Sequence, residues 1–301
     1  MKFVGKLGRP DPVWLAAIGV VLLAGYFYGA PVASAVLGRN RCGILRGYAA
    51  LRDANKVEGA KLRARSHLLK EAEGLELWQT PLGEFWNPQG NDLFYTLAEQ
   101  WVRNYGDGPY RVKSGSIVLD CGANVGDFVR EALSAGASLV IAIEPVPRSA
   151  ECVRRTFASE IAAGKVRLVE KAVWHEAGRM KMTLHTNALL DTLKPEADEQ
   201  TGQVVEVPLI MIDALVTELG LPRVDFIKMD IEGAEPNAVR GARHTIQAFR
   251  PQISIATEHY PNEAAEVTKL IQSTASYRDT CGRCTRTGLD FFPEITFYTP
   301  Q

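Results

Sequence analysis

The chain is predicted to fold as an α/β protein, a doubly wound and mostly parallel sheet preceded by an N-terminal transmembrane helix. Three observations predict this. Short apolar runs alternate with helical segments from Ile117 onward, the pattern of parallel strands joined by crossover helices. The first of those runs, Ile117-Val-Leu-Asp-Cys-Gly-Ala-Asn-Val-Gly-Asp-Phe128, breaks into a glycine loop and then enters a helix. Residues 13–30 carry no charged side chain, and the uncharged run continues through Gly38.

The N-terminal run is taken first. A spanning helix needs about 20 apolar residues to cross a hydrocarbon core of about 30 Å, and residues 13–38 are long enough. Trp14 stands at one end and Tyr26 and Tyr28 nearer the other, where aromatic rings favour the membrane interface. Pro31 bends or ends the helix beyond them. Lys2, Lys6 and Arg9, with the small residues Ala33-Ser-Ala35, also describe a signal peptide cleaved after Ala35. Arg39, Arg41, Arg46 and Arg52 follow at once and disfavour translocation of what lies beyond. The expectation is therefore an uncleaved, single-pass membrane anchor with the catalytic domain cytoplasmic.

Residues 1–38 form this basic segment and anchor, residues 39–74 a basic helical linker, and residues 75–301 the folded domain. In the linker, Arg46, Arg52, Lys56, Lys61, Arg63 and Arg65 suit either anionic headgroups or solvent. The net charge of −1 hides an asymmetry: residues 1–70 hold twelve Lys and Arg against Asp11, Asp53 and Glu58, which leaves the rest at −10. An acidic domain is a poor nucleic-acid ligand, because neutralised phosphates supply much of such affinity, and no nucleic-acid partner is expected. The five cysteines are too few and too scattered for a disulfide framework, and Cys281-Gly-Arg-Cys284 lacks the second pair that a structural zinc needs.

Within the domain, Leu75-Glu-Leu-Trp-Gln-Thr-Pro-Leu-Gly-Glu-Phe-Trp86 reads as two short strands about a Pro-Leu-Gly turn, and residues 92–105 read as a helix. Strands are expected at residues 117–121, 139–144, 166–170, 224–230 and 252–258, with a sixth around 277–280 and a seventh at 294–299. Residues 180–185 and 204–209 alternate as an inserted hairpin, with the polar residues 186–203 as a loop over the site.

The glycine loop carries the chemistry. A dinucleotide-binding loop spaced G-x-G-x-x-G brings bare amides to a pyrophosphate. Here the spacing is D-x-G-x-x-x-G, and the Asp120 carboxylate is expected in the pocket. A fixed negative charge repels phosphate and suits a ligand bearing an ammonium and a sulfonium, as S-adenosylmethionine (SAM) does. Glu144 closes the second strand, where an acid can accept ribose hydroxyls. A second cluster, Asp225-Phe-Ile-Lys-Met-Asp-Ile-Glu-Gly-Ala-Glu235, puts Lys228 and Asp230 on one strand face. Asp230, Glu232 and Glu235 then crowd the strand end. A first helical turn with Pro236 accounts for Glu235, so Asp230 and Glu232 are the functional candidates. His259 is a third, as a proton acceptor whose tautomer Glu258 would fix, or else a loop cap before Pro261. Asp230 and Glu232 could hold a divalent ion, but nothing in the sequence requires one.

These motifs resemble the FkbM-type methyltransferases, a branch of the SAM-dependent class I enzymes. The resemblance spans about residues 75–260. It rests on Val118-Leu-Asp-Cys-Gly-Ala-Asn-Val-Gly126, on Ala142-Ile-Glu-Pro145 and on the Asp225–Glu235 cluster, with Asp213 and Glu258-His259 at matching places. Cys121 stands where an aliphatic residue is commoner. The resemblance implies a Rossmann-like sheet of seven strands with the last antiparallel. It also implies that Asp120, Gly122, Asn124 and Gly126 line the methionine end of SAM, that Glu144 holds the ribose, and that Lys171 and Ala172 lie near the adenine. Asp230 and Glu232 would face the transferring methyl, with His259 beside them. The implied reaction is O-methylation of a hydroxyl on a sugar or secondary metabolite, and the expected anchor adds a lipid-linked acceptor. Two rivals stand beside it: a membrane-tethered SAM-binding or scaffold module without turnover, and an NAD-dependent oxidoreductase, against which the loop spacing and Asp120 argue.

Overall fold

The computed structural model describes residues 25, 29–38, 41–184, 203–260 and 262–301. After the helical residues 29–36 come α1 (Ile44–Ala49) and α2 (Ala54–Ala64), the latter capped by the Asp53 carboxylate on the Lys56 amide at 2.9 Å. Three strands follow, β1 (His67–Ala72), β2 (Leu75–Thr80) and β3 (Gly83–Pro88), paired antiparallel in that order. The expected pair about the Pro-Leu-Gly turn is β2 and β3. The linker was expected to be helical throughout, but β1 at its end is a strand that continues the same small sheet. Next comes α3 (Leu93–Trp101), capped by Asp92.

The alternating part then begins: β4 (Ile117–Cys121), α4 (Asp127–Ser134), β5 (Leu139–Ile143), α5 (Pro147–Thr156), α6 (Ala158–Ala162) and β6 (Val166–Val169). A short β7 (Ala172–Val173) joins β8 (Gly178–Leu184) and β9 (Gln203–Ile210) in a separate sheet ordered β7-β9-β8. Here β8 and β9 are antiparallel, as the inserted hairpin required. The chain finishes with α7 (Ile212–Glu218), β10 (Phe226–Met229), α8 (Glu235–Arg240), α9 (Arg243–Phe249), β11 (Gln252–Ala256), α10 (Glu263–Thr274), β12 (Tyr277–Thr287) and β13 (Asp290–Pro300).

The main sheet is ordered β12-β13-β11-β10-β4-β5-β6, with β4, β5, β6, β10 and β11 parallel and β13 antiparallel to β11. All seven expected strands are present, and the sixth runs on through Cys281 and Cys284. Period-two alternation explains why both faces are covered. Leu119, Ile141, Ile143, Ile227, Ile253 and Ile255 pack on one side with Leu215, Val239, Ile246 and Ile271 from α7 to α10. Val118, Val140, Ala142 and Phe226 pack on the other with Phe128, Val129 and Leu97 from α4 and α3. Each such buried aliphatic side chain contributes about 1.5–3 kcal/mol. From β4 the chain steps outward through β5 and β6, then returns to the other side through β10 and β11. The loop after β4 thus stands where the strand order reverses, the position at which open α/β sheets receive ligands.

The expected transmembrane helix is corrected. Among the described residues no helix is long and apolar enough to cross a membrane. Residues 13–24 and 26–28 of the apolar run lie outside the described residues, and the described helical stretch 29–36 is far short of the about 20 residues that spanning requires. The single-pass assignment with a cytoplasmic catalytic domain falls with it. The polar loop expected over the site, residues 186–203, also lies almost wholly outside the described residues. The chain divides into two compact units: residues through Arg52 with Cys284–Phe292, and Asp53–Arg283 with Pro293–Gln301. In the first, the Arg41 amide donates to the Phe291 carbonyl at 2.9 Å. The second holds all the residues of the site below.

Candidate active site

A cavity with about 660 Å³ of free space, the open mouth included, lies at the carboxyl ends of β4, β5 and β10. Its wall is formed by Gly122, Asn124, Glu144, Ser149, Lys171, Ala172, Asp230 and Glu232, with Ile143, Val146, Val173, Met182 and Ile231 supplying apolar surface. Seven residues singled out in the sequence therefore meet in one place: Gly122, Asn124, Glu144, Lys171, Ala172, Asp230 and Glu232. Asp120, Gly126 and His259 do not line it, for reasons that are physical in each case.

Glu144 is buried, and both its oxygens are already engaged by the backbone. Oε2 accepts the Asn124 amide at 2.8 Å and Oε1 accepts the Val146 amide at 2.9 Å. One carboxylate thus ties the glycine loop to the turn after β5. Asn124 takes a left-handed φ of 47° to present that amide. The two glycines are needed for close approach as well as for turning. Gly122 has φ 79°, and a Cβ there would collide with the backbone oxygen of Asp230. Gly126 caps α4 with φ 88°, and a Cβ there would collide with the Phe157 ring. Gly126 is a packing residue outside the cavity.

Asp120 was expected in the pocket and lies instead inside the protein. The register of β10 on β4 pairs Lys228 with Asp120, so their side chains project from adjacent positions on one face. Both are buried, with Lys228 Nζ 3.4 Å from Asp120 Oδ1 and donating to the Gly122 carbonyl at 2.7 Å. Burial pushes the Asp120 carboxyl up to about 6 against the pull of Lys228. The Lys228 ammonium is favoured by Asp120 and Asp230 despite its burial and is held above its ordinary range. The acid at the end of β4 therefore anchors a lysine that holds the glycine loop. It does not line the cavity.

Asp230 stands one residue past β10. Its Oδ2 accepts the Tyr105 hydroxyl at 2.7 Å, and its Oδ1 lies 3.6 Å from His259 Nε2. Burial raises the Asp230 carboxyl, but His259, Lys228 and Tyr105 outweigh it and hold the group well below the usual carboxylate range. Glu232 has φ 58° and brings Oε2 to 3.8 Å from the same His259 nitrogen. On the other side of the imidazole, Nδ1 meets Glu263 Oε2 at 3.2 Å and Glu235 Oε2 at 3.6 Å. Burial disfavours a charged ring, yet Glu235 together with Asp230 and Glu263 pushes His259 up to about 12. His259 is thus a charged hub among carboxylates behind the cavity wall. Glu263 from α10 orients it, where Glu258 was expected. Glu235 does sit in a first helical turn, its Oε1 accepting the Ile231 amide at 2.7 Å, but its second oxygen joins the His259 cluster.

Several residues escaped sequence reasoning. Tyr105 carried no local signal, since it acts 125 residues away on Asp230, and Glu263, four residues after His259, was passed over for the adjacent Glu258. Ser149, in the first turn of α5, puts a buried Oγ without a hydrogen-bond partner on the cavity wall, and Asn124 Oδ1 is likewise buried and unpartnered. A serine in the first turn of the helix after a strand-end acid was the available signal. Asp213, by contrast, caps α9: it accepts the His244 amide at 2.9 Å and the Thr245 amide at 2.7 Å.

Comparison with known proteins adds the following. 31-O-demethyl-FK506 methyltransferase FkbM of Streptomyces tacrolimicus is 25% identical over 159 residues, 43% of this chain and 60% of its own. Methyltransferase sdnD of Sordaria araneosa is 26% identical over 157 residues, 42% of this chain and 61% of its own. The matches thus span about three fifths of the length of these curated relatives. A solved structure of Methyltransferase FkbM from Methylobacillus flagellatus aligns with a TM-score of 0.46 at 17% identity, covering 69% of this chain and 54% of that one. The profile of the methyltransferase FkbM domain matches residues 120–282, from the acid that ends β4 into β12. That is more than half of the sequence, and the chain belongs to the FkbM methyltransferase domain family.

Proposed function

We propose that the chain is a SAM-dependent methyltransferase that transfers a methyl group to the hydroxyl of a small-molecule acceptor. The observation that carries this is the composition of the cavity wall: three carboxylates, Glu144, Asp230 and Glu232, against one lysine, with two buried polar atoms awaiting a partner. Such a wall is hostile to a diphosphate, which disfavours a nicotinamide dinucleotide. The residues fit SAM. Glu144, Ser149 Oγ and Asn124 Oδ1 supply acceptors for ribose hydroxyls, Val146, Val173 and Met182 supply apolar surface for the adenine, and Asp230 and Glu232 supply negative charge for the cationic end. SAM, when bound, supplies an electrophilic methyl on a sulfonium.

The remaining work falls to the side chains. Holding an acceptor oxygen in line with the methyl accounts for much of the acceleration expected of such a site. Asp230, kept anionic by His259, Lys228 and Tyr105, accepts the hydroxyl's hydrogen bond and aims an oxygen lone pair. Glu232, half-buried on the same wall, stands where it can take the proton as the hydroxyl becomes an ether. His259 stays charged and keeps both carboxylates in place.

Calorimetry with the full chain tests this reading. SAM is expected to bind and NAD to fail, with Glu144→Gln weakening SAM by about tenfold or more. Labelled methyl should then pass from SAM into members of a hydroxyl library. No SAM binding at all overturns the proposal, and binding without transfer to any hydroxyl favours a SAM-binding module without turnover.

A further inference from the structure

We propose that His259, Asp230 and Glu232 form a binding site for a divalent transition-metal ion at the edge of the cavity, with Glu263 and Glu235 behind the imidazole. The three groups offer His259 Nε2, Asp230 Oδ1 and Glu232 Oε2, all within 4.8 Å of one another. The spacing of these atoms is the first argument. Nε2 lies 3.6 Å from the Asp230 oxygen and 3.8 Å from the Glu232 oxygen. Both distances are too long for hydrogen bonds. Ligand atoms at about 2.1 Å from a shared ion stand about 3.0 Å apart in octahedral and about 3.4 Å apart in tetrahedral directions, so shortening the two His259 contacts by about 0.2–0.8 Å brings them to coordinating separation.

The second argument is the orientation of the ring. The Glu263 carboxylate accepts the His259 backbone amide at 2.8 Å and lies 3.2 Å from Nδ1. An ion that displaces the Nε2 proton meets a ring whose Nδ1–H is already held by a carboxylate, the arrangement usual for metal-ligating histidines. Charge is the third argument. Four carboxylates surround this one imidazole, which supplies at most a single positive charge. Glu235 and Glu263 are both fully buried, and each leaves an oxygen without a hydrogen-bond partner, Oε2 of Glu235 being aimed at the ring 3.6 Å away. A negative surplus in a buried place calls for a cation.

One imidazole nitrogen with two carboxylate oxygens suits a first-row divalent ion such as Mn²⁺ better than Ca²⁺, which prefers oxygen ligands alone. Each carboxylate gives one oxygen to the ion, and Oδ2 of Asp230 keeps its bond from Tyr105. On the methyl-transfer reading, the ion would polarise an acceptor hydroxyl there, although binding itself does not depend on that reading.

Electron paramagnetic resonance of Mn²⁺ titrated into the full chain tests the site. Bound Mn²⁺ loses the six-line signal of the aqueous ion, and saturation at one ion per chain is expected. Glu232→Gln and His259→Ala should abolish this binding, while Glu263→Gln should weaken it about 10–100-fold through the loss of ring orientation. Glu232 is half-buried, so its variant keeps the test valid if His259→Ala fails to fold; thermal melts identify that case. An undiminished aqueous signal with the wild-type chain, or binding that Glu232→Gln leaves unchanged, overturns the site. SAM calorimetry on the same preparation separates the two proposals. SAM binding without Mn²⁺ binding sinks the ion alone, and the reverse sinks the cofactor alone.

Discussion

Two ends of the cavity hold their acids in opposite ways. At the β5 end, Glu144 is satisfied by two backbone amides, Asn124 and Val146, both within 20 residues in sequence. At the β10 end, Asp230 and Glu232 lean on His259, itself held by Glu263, and Asp230 leans also on Tyr105 and on Lys228 of its own strand, so the support comes from side chains spread along the chain. The first arrangement is a local motif, stiff and self-contained. The second is a long-range electrostatic assembly in which each charge is set by the others. An acid fixed by amides binds. An acid fixed by a network can also be tuned.

The largest expected effect would break both ends together. Gly122→Ala places a Cβ against the Asp230 backbone oxygen at a φ of 79°, so the loop and the β10 end cannot both keep their places. A loss of at least about 4 kcal/mol in chemical denaturation, or failure to fold, is expected. Lys228→Met comes next. It leaves the fully buried Asp120 without its cation, which costs about 3–5 kcal/mol, and adding Asp120→Asn should recover much of that loss.

Glu144→Gln sharpens the contrast by touching the amide-held end alone. A carboxamide can accept one of the two amides but must turn its own NH₂ towards the other, a cost of about 1–3 kcal/mol that should appear in SAM affinity more than in transfer rate. The helix that follows the glycine loop gives a pH test. Burial pushes Asp127 up to about 7 and Glu131 up to about 8. Between the ordinary carboxylate range and those values the folded state binds more protons than the unfolded chain, so stability falls as pH rises from about 4 to 8. Melting temperature should therefore be higher at pH 5.5 than at pH 8.5, conditions taken on either side of those two values (about 7 and about 8), and Glu131→Gln should flatten the slope. The smallest effect belongs to Tyr105→Phe, which removes one hydrogen bond from Asp230. About 1 kcal/mol of stability is at stake, and the rate of methyl transfer should fall while SAM affinity holds.

What the sequence made legible follows the same divide. The parallel strands of the main sheet, β4, β5, β6, β10 and β11, announce themselves by apolar runs, and Glu144 and the glycine loop by spacing, because the backbone itself builds that end. Asp120 misled for a reason visible only in the register: its position opposite Lys228 turns an apparent ligand contact into a buried ion pair. His259 was recognisable as a candidate, but its partners were not, since Glu263 lies on the next helix and Tyr105 stands 125 residues from Asp230. β1 falls in the linker that was expected to be helical, where Leu62 and Leu69 fall loosely on helical spacing. Pairing with β2 overrides that spacing. The N-terminal run misled in another way, since its hydropathy met no helix long and apolar enough to cross a membrane among the described residues.

Helix α5 is gripped at both ends. Its first turn delivers Ser149 to the cavity wall, and near its last turn the Thr156 hydroxyl receives the Trp86 amide of β3 at 3.0 Å while Arg155 lies over the Trp86 ring. The small antiparallel sheet therefore acts as a tail-weight on a lever whose tip lines the cavity. Alterations far out on that sheet can retune how firmly the pocket grips its guest without changing any residue that meets it.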